Sequence, residues 1–422
     1  DPAIALWTKT NTTLRPNWTV QGDVCVEGTL TSQAPITSLD GDVFATQFVG
    51  TSVGQTYPVA SLTSALSWPP VTSTFVSKTN PITTVSASPM SGTYSVTPRR
   101  IYKCIGNLTL GTSTTAATID GMLLVTGNLT VAGSGCRITA ARNLPALYVG
   151  GDLLLDSASN LAVTGLAVVN GNLRIHSDAS NVQFVGGLCL GGAVMETTAD
   201  ASGNGLIGTL SGDPARDASG ALNGALRLDG VNDYVNCGNS ALFDLATGLT
   251  VAGWVHVAGV DAAAQETLLV KSGAYALEIV SNTIRFSVYS DTAAAWQVVQ
   301  FTIDASFANA WHHLAGTFDG SAVAIYLDGV LQGSTAYAGA IASRPANPLW
   351  LGSDGSHFYK GLLDDVRVYS RALSSVEIGQ IAAGGSTLDL VAQWPLDDPG
   401  SAVAIVSDPI RASILGYSNS VM

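Results

Sequence analysis

Residues 311–333 read WHHLAGTFDGSAVAIYLDGVLQG. Three runs of alternating apolar residues are separated by Asp319-Gly320 and Asp328-Gly329, and Asp-Gly between such runs is a strong hairpin signal. Strands joined that tightly pair antiparallel. The pattern extends in both directions. Leu226 to Val235 (LRLDGVNDYV) is strand, tight turn, strand, and Leu249 to Val257 (LTVAGWVHV) alternates around Trp254. Downstream, KGLLDDVRVYSRALSSVEIGQIAAGG (360–385) is a strand followed by one short helix, with Ser374 as N-cap and Gly384-Gly385 as stop. The spacing predicts an antiparallel sandwich over residues 191–398.

Composition agrees with an all-β chain. Of 422 residues, 45 are Gly and only 12% are charged, half of what a typical soluble protein carries. The 26 Asp against five Glu give a net charge of -13, which leaves no basic face for nucleic acid or anionic lipid. No apolar run approaches the ~20 residues of a membrane span. The start at Asp1-Pro2, without Met, is read as processing, so the expected location is extracellular or cell-surface after loss of an N-terminal leader. The cysteines Cys25, Cys104, Cys136, Cys189 and Cys237 show no C-x-x-C spacing. Four sequons, at Asn11, Asn17, Asn107 and Asn128, would matter only in a eukaryotic secretory pathway.

Upstream of residue 190 the sequence repeats itself. Gly followed by Asp or Asn and then apolar-x-apolar occurs at Gly22, Gly41, Gly106, Gly127, Gly151 and Gly171, with a weaker copy at Gly187. From Gly106 the starts are 21, 24, 20 and 16 residues apart, which suits one coil of a β-solenoid per repeat. Gly at each corner is expected to supply positive φ, and the following strand to point alternate residues into the coil. A sandwich whose hairpins share Gly-Asn turns is the alternative. The expected organisation is a β-solenoid-like domain over 1–190, with a Ser/Thr/Pro-rich excursion at 46–100, then the sandwich at 191–398 and a tail at 399–422.

The second half resembles the laminin G-like jelly rolls of the concanavalin A-like lectin and glucanase superfamily, on "DASGNGLIGTL" (200–210), "ALRLDGVNDYV", "WHHLAGTFDG", "IYLDGV" and "GLLDDVRVYSRALSSVEI". The first half is similar to solenoid regions of bacterial surface and pilus-associated proteins. In the jelly-roll family the domain usually opens with a strand reading roughly Trp-x-Leu-Asp-Glu ahead of the Asp-x-Ser-Gly-Asn-Gly turn. Here "LGGAVMETTA" precedes the turn, and Trp394-Pro395-Leu396-Asp397-Asp398 stands near the other end of the chain. Either this strand folds back in cis as in a circular permutation, or it inserts into the next molecule head-to-tail, or it begins another repeat. Trp394, Leu396, Asp397 and Asp398 are therefore candidate assembly residues, together with the unpaired strand edges at the solenoid ends.

The resemblance also implies a structural calcium, for which Asp200, Asn204, Asp364 and Asp365 offer hard oxygen ligands, with Asp229 and Asp233 as weaker candidates. The competing reading has Asp200 capping its own turn and Asp364 paired with Arg367 or Arg371. Trp296, Trp350, His357 and Tyr359 are the candidates for a glycan site. Catalytic patterns fail on context. Gly50 to Gly54 matches a nucleophile elbow but lacks a following helix, Gly203 to Gly208 belongs to a β-turn, and His312 and His313 point to opposite faces of one strand. The glutamates show no paired arrangement for glycoside hydrolysis. The expectation is a non-enzymatic extracellular structural protein that self-assembles and adheres, with a monomeric lectin-like module as the alternative.

Overall fold

The computed structural model describes residues 4–407, apart from 16, 33–37, 40, 51–54, 59–79, 87, 141–143, 157–159, 260–264, 386–387, 399 and 401. The chain divides into two compact units, one of residues 1–196 with 400–422 and the other of residues 197–399. The division differs from the sequence expectation at the C-terminus. Residues 403–406 form a strand of the first unit, within what was expected to be a tail.

The first unit is a β-solenoid with three parallel ladders. One stacks Leu108–Leu110, Leu129–Val131, Leu153–Leu155 and Leu173–His176. The first and third residues of each face the core, so Leu108, Leu129, Leu153 and Leu173 form one buried column. Parallel strands with both neighbours paired satisfy every backbone group between rungs, which is why three-residue strands suffice.

The corners explain the Gly-[Asp/Asn] repeat, for a reason other than positive φ. The Asn107 Oδ1 accepts from the Asn128 N–H at 2.9 Å, Asn128 Oδ1 from Asp152 at 2.9 Å, Asp152 Oδ1 from Asn172 at 2.8 Å, and Asn172 Oδ1 from Ala193 at 3.0 Å. Asp23 and Asp42 repeat the contact to Asp42 and Gln55. Each side chain thus bonds the next coil. The glycine of that next coil sits directly over the bonded oxygen, and a Cβ at Gly127, Gly151 or Gly171 would collide with Asn107, Asn128 or Asp152. Of the six corner glycines only Gly22 and Gly106 have positive φ. Close approach fixes the rest.

Stacking order departs from chain order. Ile4–Thr8 lies between Leu188–Leu190 and Asp23–Ser32, and Val403–Val406 lies between Val182–Val185 and Thr19–Gln21. The two ends of the chain therefore share one rung in the middle of the stack, and the jelly roll is an insertion between residues 196 and 400. Strands Ile82–Val85 and Gly92–Cys104 continue the stack on one side, and Val43–Val49 and Thr56–Pro58 on the other. Part of the expected excursion at 46–100 is thus regular solenoid; residues 51–54 and 59–79, including the elbow-like Thr51 to Gly54, lie outside the described residues. All five cysteines are buried free thiols. Burial pushes Cys25 and Cys189 up to about 12, which removes them from thiolate chemistry.

The second unit is a jelly roll of two antiparallel sheets. The first sheet runs Ala215–Asp217, Ala225–Asp229, Lys360–Tyr369, Leu249–Val257, Trp311–Phe318, Ala322–Leu327, Val330–Ala336. The second runs Gly208–Ser211, Tyr234–Asn236, Leu349–Leu351, Gln265–Lys271, Tyr275–Val280, Thr283–Ser290, Ala295–Thr302. Both Asp-Gly hairpins form, with Gly320 at φ 87° and Gly329 at φ 79°. The helix Ser375–Ala382 starts with the Ser374 and Glu377 capping box, and Ile378 and Ile381 pack on Ala252, Ala315 and Tyr369.

Strand Leu390–Trp394 pairs antiparallel with Lys360–Tyr369 of its own chain. Trp394 is fully buried, its Nε1 donates to the Leu206 carbonyl at 2.7 Å, and its ring lies 6.1 Å from Phe243. Leu396 is fully buried as well. The Asp398 carboxylate accepts from the Thr198 hydroxyl at 2.6 Å, whereas Asp397 is exposed. The strand closes its own sandwich, so within this chain the permuted arrangement is the one adopted, with Trp394 and Leu396 as core residues.

Candidate functional site

Register places the candidate aromatics. Asn236, Trp350, Val270, Ala276, Ser287 and Val298 are direct cross-strand partners in sequence across the second sheet, so they share its outer face. Trp296 lies two residues from Val298 and joins them. Trp350 and Trp296 therefore stand on one face, four strands or about 19 Å apart at about 4.8 Å per strand. Each has an aromatic companion that the sequence reading did not select: Tyr234 with its ring 5.0 Å from Trp350, and Tyr289 with its ring 5.3 Å from Trp296 in a T-shape.

A polar row runs along the same face two residues from the Trp350–Val298 row, on the side away from Trp296 and Tyr289. The Arg285 guanidinium bonds Glu278 at 2.9 Å, Gln265 donates to the same carboxylate at 3.4 Å, and Thr267 is the cross-strand partner of Glu278. Three buried polar atoms here have no hydrogen-bond partner: Trp350 Nε1, Thr267 Oγ1 and Arg285 Nε. Buried donors left open cost about 1–3 kcal/mol each unless a water or ligand meets them. The face thus carries both aromatic platforms and unspent donors. The alternation that would have exposed Thr267, Glu278 and Arg285 as one row is hidden in the sequence by the bulge between Thr267 and Leu269.

Of the remaining candidates, His357 flanks this face and Tyr359 does not. His357 Nδ1 sits 2.8 Å from Asp354, in a turn whose Gly355 lies against the Trp350 ring. Tyr359 is fully buried in the core, with its hydroxyl donating to the Leu362 carbonyl at 3.3 Å, and burial holds its pKa well above the usual tyrosine value. The adjacent histidines divide as expected. His313 is buried and pushed down to about 4 by burial and by Arg367, while His312 pairs with Asp328 and stacks on Phe307.

The carboxylates chosen for calcium do not converge. Asp200 spends its oxygens on Ser202, on the Leu206 N–H and on the Gln393 N–H, so it builds the turn that receives the returning strand. Asn204 donates to the Val391 carbonyl. Asp365 is locked to Arg367 at 2.7 Å, the partner the competing reading had given to Asp364, and Arg371 pairs instead with Glu377 and Asp389. Asp364 is different. It is fully buried, one oxygen accepts from the Leu222 N–H at 2.7 Å, and Oδ1 has no partner. Burial, then the charges of Asp365 and Asp397, push it up to about 7. Asp364 is thus the one candidate of the four with an open carboxylate oxygen that a hard cation could meet, and the Asp397 charge acts on it. Asp213, Asp229 and Asp233 form the one three-carboxylate group among the described residues, within 4.8 Å of one another. Asp233 there accepts from the Asp213 and Asp229 N–H groups, and burial raises its pKa.

Residues 229–379 match the family model of the concanavalin A-like lectin/glucanases superfamily. That match lies wholly within the inserted sandwich, which is therefore similar to concanavalin A-like domains. No curated protein matches the chain. Solved structures similar to it include the binding domain of botulinum neurotoxin serotype G, at 17% identity and TM-score 0.38, covering 43% of this chain and 47% of that one. Domain 4 of AbnA, an extracellular GH43 arabinanase from Geobacillus stearothermophilus solved with arabinotriose, is similar at 20% identity and TM-score 0.37, covering 44% of this chain and 98% of that domain. The chain thus spans about half the length of the neurotoxin binding domain.

Proposed function

We propose that the protein is a non-enzymatic, extracellular carbohydrate-binding protein in which a β-solenoid carries an inserted lectin-like jelly roll. The observation that carries this reading is the outer face of the second sheet, which the Tyr234 and Trp350 rings share with the Glu278–Arg285 pair two strands on from Trp350, with donors left open on Trp350, Thr267 and Arg285. Sugar rings present apolar faces to aromatic platforms and hydroxyls to planar polar groups, so this combination is what a glycan requires. Glu278 is tied to Arg285 rather than set opposite a second free acid, which supports binding without hydrolysis. A structural calcium at Asp364 would neutralise the buried carboxylate and tie the Leu222 loop to the sandwich. The test is titration calorimetry of the full chain with cellotriose, xylotriose and chitotriose. Trp350→Ala should weaken binding at least ~10-fold with an unchanged thermal midpoint; unchanged affinity for every probe would refute the site.

Self-association is a second reading, supported by the ends of the solenoid stack. Among the described strands, Thr56–Pro58 and Ile82–Val85 are paired on one side only, and open edges of two coils can continue one stack head-to-tail. Electron microscopy and mass determination test it: filaments that persist when Trp394 is replaced would place assembly at the coils, and monomers at every concentration would remove it.

A further inference from the structure

The first sheet carries a second row that the glycan face does not use. Ala215, Arg227, Leu362, His256 and Trp311 are successive cross-strand partners over five strands, so they share the outer face of the sheet opposite Trp350. Arg227, Leu362, His256 and Trp311 line a cavity of about 260 Å³ together with Asp217 and Asn309. Its parts are held in place from behind. Trp311 Nε1 donates to the Ser219 carbonyl at 3.3 Å, the His256 ring packs edge-on against Trp311 at 5.5 Å, and Arg227 forms an ion pair with Asp217. Leu362 is 5% exposed and supplies an apolar floor. One buried atom is unaccounted for: His256 Nδ1 has no hydrogen-bond partner.

Arg227 also borders a neighbouring cavity of about 310 Å³, whose wall includes Lys360, Asp213, Asp229 and Asp233. Arg227 is common to the walls of both, so the two cavities adjoin as a groove along the same row. Each cavity is close to the lower end for small-ligand sites, and the one beside Trp311 has an aromatic wall, an apolar floor and a few oriented polar groups. The Ser219 N–H, then Arg227 and His256, keep Asp217 below the usual carboxylate range, so it remains an acceptor at neutral pH. Four carboxylates around the groove against Arg227 and Lys360 disfavour an anionic occupant.

We infer that this groove is a second saccharide site, selective for neutral sugars, on the face of the jelly roll opposite Trp350. The ring of one sugar unit stacks on Trp311 over Leu362, its hydroxyls bond Asp217 and Arg227, and His256 Nδ1 takes the partner it lacks. The inference stands on its own observations, so either face can fail without the other.

Indole NMR signals of the full chain separate the two. Trp311→Phe and Trp350→Phe identify the two resonances, and the probes are cellotriose, xylotriose and chitotriose, with trigalacturonate as the anionic control. The expected result is that at least one neutral probe shifts the Trp311 signal with a mM Kd, that Trp350→Ala leaves this response intact, and that Arg227→Ala weakens it at least ~10-fold. Arg227 has an exposed side chain, so its removal tests the groove without emptying the core; His256→Gln is the second variant, expected to weaken the same response. A Trp311 signal unmoved by every neutral probe at about 20 mM, or a response indifferent to both variants, overturns the inference, since water alone would then account for His256. A response to trigalacturonate equal to that for neutral probes overturns the selectivity.

Discussion

Trp394→Ala tests whether the returning strand belongs to its own sandwich. The side chain is fully buried, fills the core beside Phe243 and donates to the Leu206 carbonyl at 2.7 Å. Truncating a buried Trp costs about 3–5 kcal/mol, and the carbonyl left without its donor places this site in the upper part of that range. Taking ~4 kcal/mol against a domain stability of about 5–15 kcal/mol, and an m-value of about 2–3 kcal/mol/M in urea, the midpoint of the jelly-roll transition should fall by about 1.5–2 M. Urea unfolding followed by near-ultraviolet circular dichroism measures the shift, and repeating it at two protein concentrations tenfold apart decides the strand's origin. Hydrogen exchange should localise the loss, with faster exchange in Lys360–Tyr369 and none added in Leu147–Val149 of the solenoid. A drop under about 0.5 M, or a wild-type midpoint that climbs with concentration, would refute a core role in cis.

Three further outcomes are expected. Gly151→Ala should destabilise the solenoid by about 1–3 kcal/mol because its Cβ meets the Asn128 carboxamide, and adding Asn128→Ala should restore part of the loss, a non-additivity that thermal melts of the two single variants and the double variant reveal. In chelator, stability should decline as pH rises from about 4 through about 7, since Asp364 is neutral more readily in the folded chain than in the unfolded one; Asp364→Asn should flatten that decline, and a pH profile identical in both proteins would contradict it. At pH 8, added calcium should raise the melting point of the wild type and leave Asp364→Asn unmoved.

The sandwich was legible because its signals are local. Asp-Gly turns, strict alternation and the Ser374 cap each act within a few residues, and each forms as read. The solenoid was legible as a period, yet the meaning of its glycines was not, because the contact that excludes a Cβ comes from Asn107 or Asn128 on another coil about 20 residues away. Tyr359 was misread as a surface aromatic because its strand neighbours alternate poorly around Phe358 and Lys360, and only the sandwich shows it pointing inward. The Val403–Val406 strand gave no signal of its own. Four apolar residues without a corner glycine acquire a partner only when Val182–Val185 and Thr19–Gln21 are brought to either side of them.

That shared rung sets an order of events during synthesis. Residues 4–32 are made long before their neighbour on one ladder, Val403–Val406. The jelly roll lacks only Leu390–Trp394, so it can complete itself while the solenoid is still missing a strand from its middle. The solenoid is sealed last, by a segment that follows the inserted domain, so a chain cut between residues 396 and 403 would hold every strand of the jelly roll while one rung of the solenoid stayed open.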